Sequence, residues 1–177
     1  MNIPLNCKQC NLFKTRDQVV IGRGDVPAKI LIMGSAPGMS EDTIGAAFCG
    51  ASGQLLDLML NEAFVRSKVK NFPSIYFTNI VLCRPCDKRG SPNRDPNEIE
   101  ILKCTENIIE IIKTVDPFCC IFAGDIPEKY YKKMFSLYFK IQHPSSLLRG
   151  GGVEHPNFNR NVRILIESIK AVQSEVI

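Results

Sequence analysis

Four cysteines in two distant pairs constrain this chain more than any other feature. Cys7 and Cys10 read C-K-Q-C near the start, Cys83 opens a C-R-P-C stretch, and Cys104 follows on an expected helix. A two-residue spacer lets both sulfurs of the first pair face one metal or cluster. A tetra-thiolate site of Cys7, Cys10, Cys83 and Cys104 clips the N-terminus to the middle of the chain and closes a long loop. The residues between the pairs must then fold as a scaffold around that clip. The chain carries eight cysteines and no signal-peptide pattern, so it reads as intracellular, where thiols serve metals or clusters rather than disulfides. Cys119 and Cys120, in F-C-C-I-F-A, and Cys49, in A-F-C-G, read as small buried hydrophobes.

The 177 residues are 45% hydrophobic and 23% charged, which fits one globular domain over residues 1–177 with a sizeable core. No apolar run approaches the roughly 20 residues that cross a bilayer, so no membrane role is expected, and the chain reads as a monomer. The net charge of +4 permits nucleic-acid binding without demanding it. The basic residues are uneven. Arg84, Lys88, Arg89 and Arg94 share one Pro/Gly-containing stretch, and Lys129, Lys132 and Lys133 share a helix, as a solvated surface or as phosphate contacts.

Four short apolar runs predict buried strands: Lys29–Met33, Ile75–Ile80, Phe118–Ala123 and Leu137–Ile141. Helices fall between them. Ser52 is expected to cap one that aligns Leu55, Leu56, Met59, Leu60 and Ala63. Asp95-Pro96-Asn97-Glu98 predicts an N-cap at Asp95 and a helix to about Val115, with Cys104 on it. Two more are expected over Ile126–Met134 and Asn159–Gln173. This alternation predicts an α/β fold, a three-layer α/β/α sandwich with a four-stranded parallel central sheet. Ligands in such folds sit beyond the carboxyl ends of the strands.

The loops at those ends hold the candidate site. Gly34, Pro37 and Gly38 force a tight turn with exposed N–H groups after the first strand. Asn79 ends the second strand, and its amide offers a donor beside an acceptor, a match for the edge of an amide-like ring such as a pyrimidine. His143 follows the fourth strand and can donate to developing negative charge. Leu147 and Leu148 beside Arg149 read either as core packing or as an apolar wedge with a phosphate-seeking cation, of the kind inserted where a base leaves the duplex stack.

Taken in order, these motifs resemble the iron–sulfur uracil-DNA glycosylases, family 4 of the uracil-DNA glycosylase superfamily. The resemblance covers C-x-x-C, G-S-A-P-G-M-S-E-D, G-A-A-F-C-G-A-S-G-Q-L-L-D, T-N-I-V-L-C-R-P, the E-I-x-x-x-x-C helix and H-P-S-S-L-L-R, from Cys7 to about Arg149. It implies a [4Fe–4S] cluster on Cys7, Cys10, Cys83 and Cys104, with zinc as the competing physical reading of four thiolates. It implies DNA containing uracil as substrate, flipped so that Phe48 stacks on the base, Asn79 reads its edge and His143 stabilises charge on uracil O2. Gly34, Ala36, Pro37 and Gly38 then line the base pocket. Leu147, Leu148 and Arg149 enter the minor groove, and water captures the sugar to leave an abasic site.

Three departures accompany the match. The family's G-E-A-P-G is G-S-A-P-G here, so Ser35 stands where a carboxylate is usual, and Ala36 where another branch of the superfamily has an aspartate. Ser35 and the neighbouring Asp42 stand as catalytic candidates beside His143 and Asn79. Leu82 occupies a position where lysine is common. Cys86 replaces the usual proline and competes with Cys83 as a ligand. The missing glutamate leaves a second reading, a DNA-binding or replication-associated module of the same fold with weak or lost turnover. A zinc-stapled protein unrelated to DNA is a third.

Overall fold

A computed structural model describes residues 1–174. Four strands form the parallel heart of the sheet: β2 (Ile30–Gly34), β3 (Ile75–Asn79), β4 (Cys119–Ala123) and β5 (Tyr138–Ile141). A two-residue strand, β1 (Arg23–Gly24), adds to one edge antiparallel to β3, giving five strands in the order β1-β3-β2-β4-β5. The sequence predicts the four parallel strands. β1 is too short and too polar to carry an alternation signal.

β2 and β4 are buried on both faces, as central strands of a covered parallel sheet must be. Ile30 and Ile32 of β2 point into one core with Ile121 of β4, packed by α2 (Ala51–Ser67) and α6 (Phe158–Ser174). Leu31 and Met33 point the other way with Cys120 and Phe122, toward α3 (Glu98–Val115) and Tyr131 of α4 (Asp125–Tyr131). One sheet between two helical layers is the predicted sandwich. Cys119 and Cys120 are fully buried on opposite faces, as their apolar setting predicts.

Helix ends differ from expectation where glycine or a better cap wins. α2 begins at Ala51 with Gly50 as N-cap, not Ser52. α3 is capped by Asn97, whose side chain accepts from Glu100 N–H while the Glu100 carboxylate accepts from Asn97 N–H. This reciprocal box satisfies two orphan donors, which Asp95 two residues upstream cannot do. Two short helices occupy expected loops, α1 (Met39–Ile44) and α5 (Pro144–Arg149). Both follow carboxyl ends of strands, where the chain turns back over the sheet. No helix among the described residues is long and apolar enough to cross a membrane.

Candidate active site

The sheet order opens a crevice where connections diverge from β2 to opposite faces, and its carboxyl edge is where such folds bind ligands. A cavity of about 1140 Å³ lies there. Phe48, Asn79 and His143, from three separate segments, line it together with Ser35, Ala36, Pro37 and Gly38. The Phe48 and His143 rings stand 6.3 Å apart with 28° between their planes. Asn79 is 3% exposed. Gly34 lies directly beneath: a Cβ there would meet Asn79 Oδ1 at 2.5 Å and Phe48 Cζ at 2.7 Å, so only glycine lets both close over the end of β2. Hydrogen bonds from Ile80 N–H to Gly34 O and from Val81 N–H to Ser35 O carry the β2–β3 register past Asn79 and fix its height in the cavity.

His143 caps α5. Its Nδ1 accepts from Ser145 N–H at 3.1 Å and lies 2.8 Å from Ser145 Oγ. An acceptor at Nδ1 leaves the proton of the neutral ring on Nε2, which makes the other edge a donor. Burial, and then the Arg149 guanidinium, hold the imidazole below its usual 6.5, so the neutral donor form prevails at pH 7. The backbone one residue earlier is pinned from α6, where Asn161 binds both the N–H and the C=O of Gln142.

Three carboxylates line the cavity in different circumstances. Glu41 accepts from Gly38 N–H at 3.1 Å and Gly50 N–H at 2.7 Å, tying the first loop to the turn after Phe48. Asp125 pairs with Lys140. Asp95 is exposed, makes no side-chain hydrogen bond among the described residues, and lies close enough for its charge to favour the His143 cation. Its value as a cavity carboxylate is invisible in the sequence, because its apparent role there is a helix cap.

Two expected site assignments change. Asp42 lies outside the cavity. It is 1% exposed, and its carboxylate accepts from Asp17 N–H at 3.0 Å and Gln18 N–H at 3.2 Å. It braces the N-terminal segment instead of facing a sugar. Leu147 is fully buried in the core between α5 and α2, because helix formation over 144–149 turns it inward, away from the outer face where a wedge would stand. Leu148 is 39% exposed, and Arg149 is exposed at the rim, so these two remain on the outer face. Arg84 likewise is 3% exposed and braces its own loop by donating to Asn93 Oδ1 and Ser91 O, which removes it from any phosphate surface. Arg94 anchors the same loop through two bonds to Glu100. Burial alone would push the Glu100 carboxyl up, but Arg94 and the Asn97 N–H outweigh it and hold it below its ordinary value.

The cysteines form a second centre beside the sheet. Burial is the main force raising the Cys83 thiol to about 11 and the Cys104 thiol to about 12. Cys10 and Cys104 pack against the same core as Cys83, and Cys7 and Cys10 add to both shifts, so the four thiols share one region. Cys86 is buried but is not among the main influences on any of them. Donors already point at the group: Arg16 Nη1 to Cys83 Sγ at 3.3 Å and Leu82 N–H to Cys104 Sγ at 3.4 Å. Such contacts favour thiolates over thiols. Among the described residues no three His, Cys, Asp or Glu side chains are arranged to hold a single metal ion. Residues 16–18 join the two centres, since Arg16 contacts Cys83 and the Cys7 carbonyl while Asp17 and Gln18 bind Asp42 of α1.

Comparison with known proteins bears on the family and the fold. The family model described as the uracil DNA glycosylase superfamily matches residues 21–171. A type-4 uracil-DNA glycosylase of Archaeoglobus fulgidus is 30% identical, the match covering 91% of this chain and 74% of that protein. One from Sulfurisphaera tokodaii is 32% identical over 92% of this chain and 76% of its own length. One from Saccharolobus solfataricus is 37% identical over 72% and 56% respectively. Among solved structures, wild-type Pedobacter heparinus SMUG2 shares the fold at a TM-score of 0.57 and 16% identity, covering 83% of this chain and 76% of that one. The chain therefore belongs to the uracil-DNA glycosylase superfamily, alongside its type-4 members.

Proposed function

We infer that this protein is a uracil-DNA glycosylase of base excision repair. It takes a uridine flipped out of DNA and hydrolyses the N-glycosidic bond. The observation that carries the reading is the convergence of Phe48, Asn79 and His143 on one cavity at the carboxyl edge of the sheet. The aromatic ring supplies a stacking wall. The Asn79 amide can donate and accept at once, which suits the uracil edge and opposes the reversed pattern of cytosine. The His143 Nε2–H donates to O2 as the departing base becomes an anion, and a fixed donor costs no reorganisation at that moment. In the Gly34–Gly38 loop Pro37 has no N–H and that of Gly38 is held by Glu41, so backbone help to the anion falls to the N–H groups before Pro37. Arg149 stands at the rim, suited to meet a phosphate, and the exposed Leu148 beside it is suited to fill the space left by the flipped base.

We assign orientation of the attacking water to Asp95. With Ser35 in the first loop, Glu41 engaged by two N–H groups and Asp125 paired with Lys140, Asp95 is the cavity carboxylate left without a hydrogen-bonding partner among the described residues. The whole chain, residues 1–177, acts as one unit and as a monomer.

Cys7, Cys10, Cys83 and Cys104 are the residues that would hold a [4Fe–4S] cluster; the reading is supported by the influence of Cys7 and Cys10 on the buried Cys83 and Cys104 thiols and by the likeness to type-4 uracil-DNA glycosylases. Such a cluster supplies a rigid cross-link between the N-terminus and the β3–α3 region. The protein's own residues carry out every chemical step above.

Incubation with a uracil-containing oligonucleotide, followed by alkali, tests the activity. Strand scission at the uracil position is expected. Tight DNA binding with no scission would instead identify a module that kept the fold and lost turnover, the reading that Ser35 favours.

A further inference from the structure

We propose that Arg23 is a positioning residue for base stacking, holding Phe48 in the orientation that receives the flipped base. Phe48 has φ of 53°, a left-handed conformation that bulky residues rarely adopt. Something must hold it there, and Arg23 contacts the chain on both sides of the Phe48 nitrogen. Its Nε donates to Ala47 O at 2.8 Å and its Nη2 to Phe48 O at 3.3 Å.

The guanidinium is itself fixed from two further directions. Asp57 of α2 accepts from Nη2 at 2.7 and 3.0 Å. The plane lies 4.0 Å over the Phe77 ring, whose own centroid is 6.0 Å from that of Phe48. The short β1 strand acquires a purpose from this, because its pairing sets Arg23 opposite Phe77. Gly53 completes the arrangement, since a Cβ there would fall 1.6 Å from Phe48 O. Arg23 lines a separate cleft of about 450 Å³ and not the base cavity, so it acts on the base only through Phe48. A lysine offers a point charge and cannot span two carbonyls, a carboxylate and an aromatic face at once.

The proposal rests on reading the cavity as a base pocket, but its first test does not need glycosylase activity. The chain contains no tryptophan, so Phe48→Trp introduces a single indole at the stacking position. Time-resolved fluorescence anisotropy of that variant is compared with its Arg23→Met, Arg23→Lys and Asp57→Asn derivatives, each checked for folding by circular dichroism. Increased nanosecond mobility of the indole is expected, largest for Arg23→Met and smaller for the two milder changes. In the wild-type background, single-turnover cleavage by Arg23→Met should fall about tenfold to a hundredfold, with Arg23→Lys recovering part of it. An indole equally ordered in all four proteins overturns the proposal, whatever happens to rate or stability. Loss of order in a protein that never cleaves uracil DNA leaves the positioning role intact and removes the glycosylase reading instead.

Discussion

Asn161 holds the backbone of Gln142 as a neighbouring strand would: Oδ1 accepts from its N–H at 3.0 Å and Nδ2 donates to its C=O at 2.9 Å. Asn161 is 1% exposed, and His143 is the next residue along the pinned segment. Asn161→Leu keeps much of the volume but leaves two part-buried backbone groups without their partner, so it should cost about 1–3 kcal/mol in urea unfolding. Single-turnover cleavage should drop with it, because the imidazole loses its fixed height.

The depressed pKa of His143 makes a signed prediction. Above 6.5 the ring is neutral in both folded and unfolded chains. As pH falls below 6.5, the unfolded chain takes up a proton that the folded one resists, so stability declines until the folded pKa is passed and is level beyond it. Urea unfolding of the wild type against His143→Gln should show this acid-side loss only in the wild type. The cleavage rate should hold above 6.5 and fall on the acid side, where the neutral donor is converted to a cation.

Asp95→Asn preserves size and removes the one cavity carboxylate that lacks a hydrogen-bonding partner among the described residues. Cleavage should fall by about a hundredfold, while DNA affinity measured by fluorescence anisotropy stays within a factor of a few. Restoring a carboxylate nearby with Ser35→Glu in the Asp95→Asn background should recover part of the rate. Full activity of Asp95→Asn would place water activation elsewhere.

Leu147 and Leu148 are adjacent in sequence and opposite in setting. Leu147→Ala should destabilise the fold by about 2–5 kcal/mol, as for a fully buried leucine. Leu148→Ala should leave thermal unfolding nearly unchanged and lower cleavage of uracil in duplex more than in single strands. Calorimetry and paired single- and double-strand assays separate the two.

Cys104→Ser should yield colourless, iron-poor protein, and Cys86→Ser should retain brown colour and iron. Iron analysis with visible absorbance reads both. The reverse outcome would make Cys86 the ligand.

The parallel strands were legible because strands buried on both faces are written as unbroken apolar runs, as in Ile30–Met33 and Cys119–Ala123. Phe48, Asn79 and His143 were legible through motif resemblance, since nothing local distinguishes a cavity asparagine from a turn cap. What the sequence hid was orientation. Helix formation after His143 decided that Leu147 turns inward and Leu148 outward. Asp42 lies away from the cavity because it meets the N–H groups of residues 17 and 18, distant in sequence, while Asp95, displaced as cap by Asn97, lines the cavity. Arg23 gave no signal at all, because its partners Ala47, Phe48, Asp57 and Phe77 come from three other segments.

The division of the thiols between the two ends of a long span fixes an order of events during synthesis. Cys7 and Cys10 leave the ribosome early, while Cys104 and the β4 strand that pairs with β2 are still untranslated. The central sheet cannot close over β2 until residue 119 has emerged, so the nascent chain carries an open, half-built thiol nest and an uncovered hydrophobic strand for much of its elongation. The early pair of thiols can therefore meet its later partners only after residue 104 has emerged, so its protection from oxidation has to last at least that long.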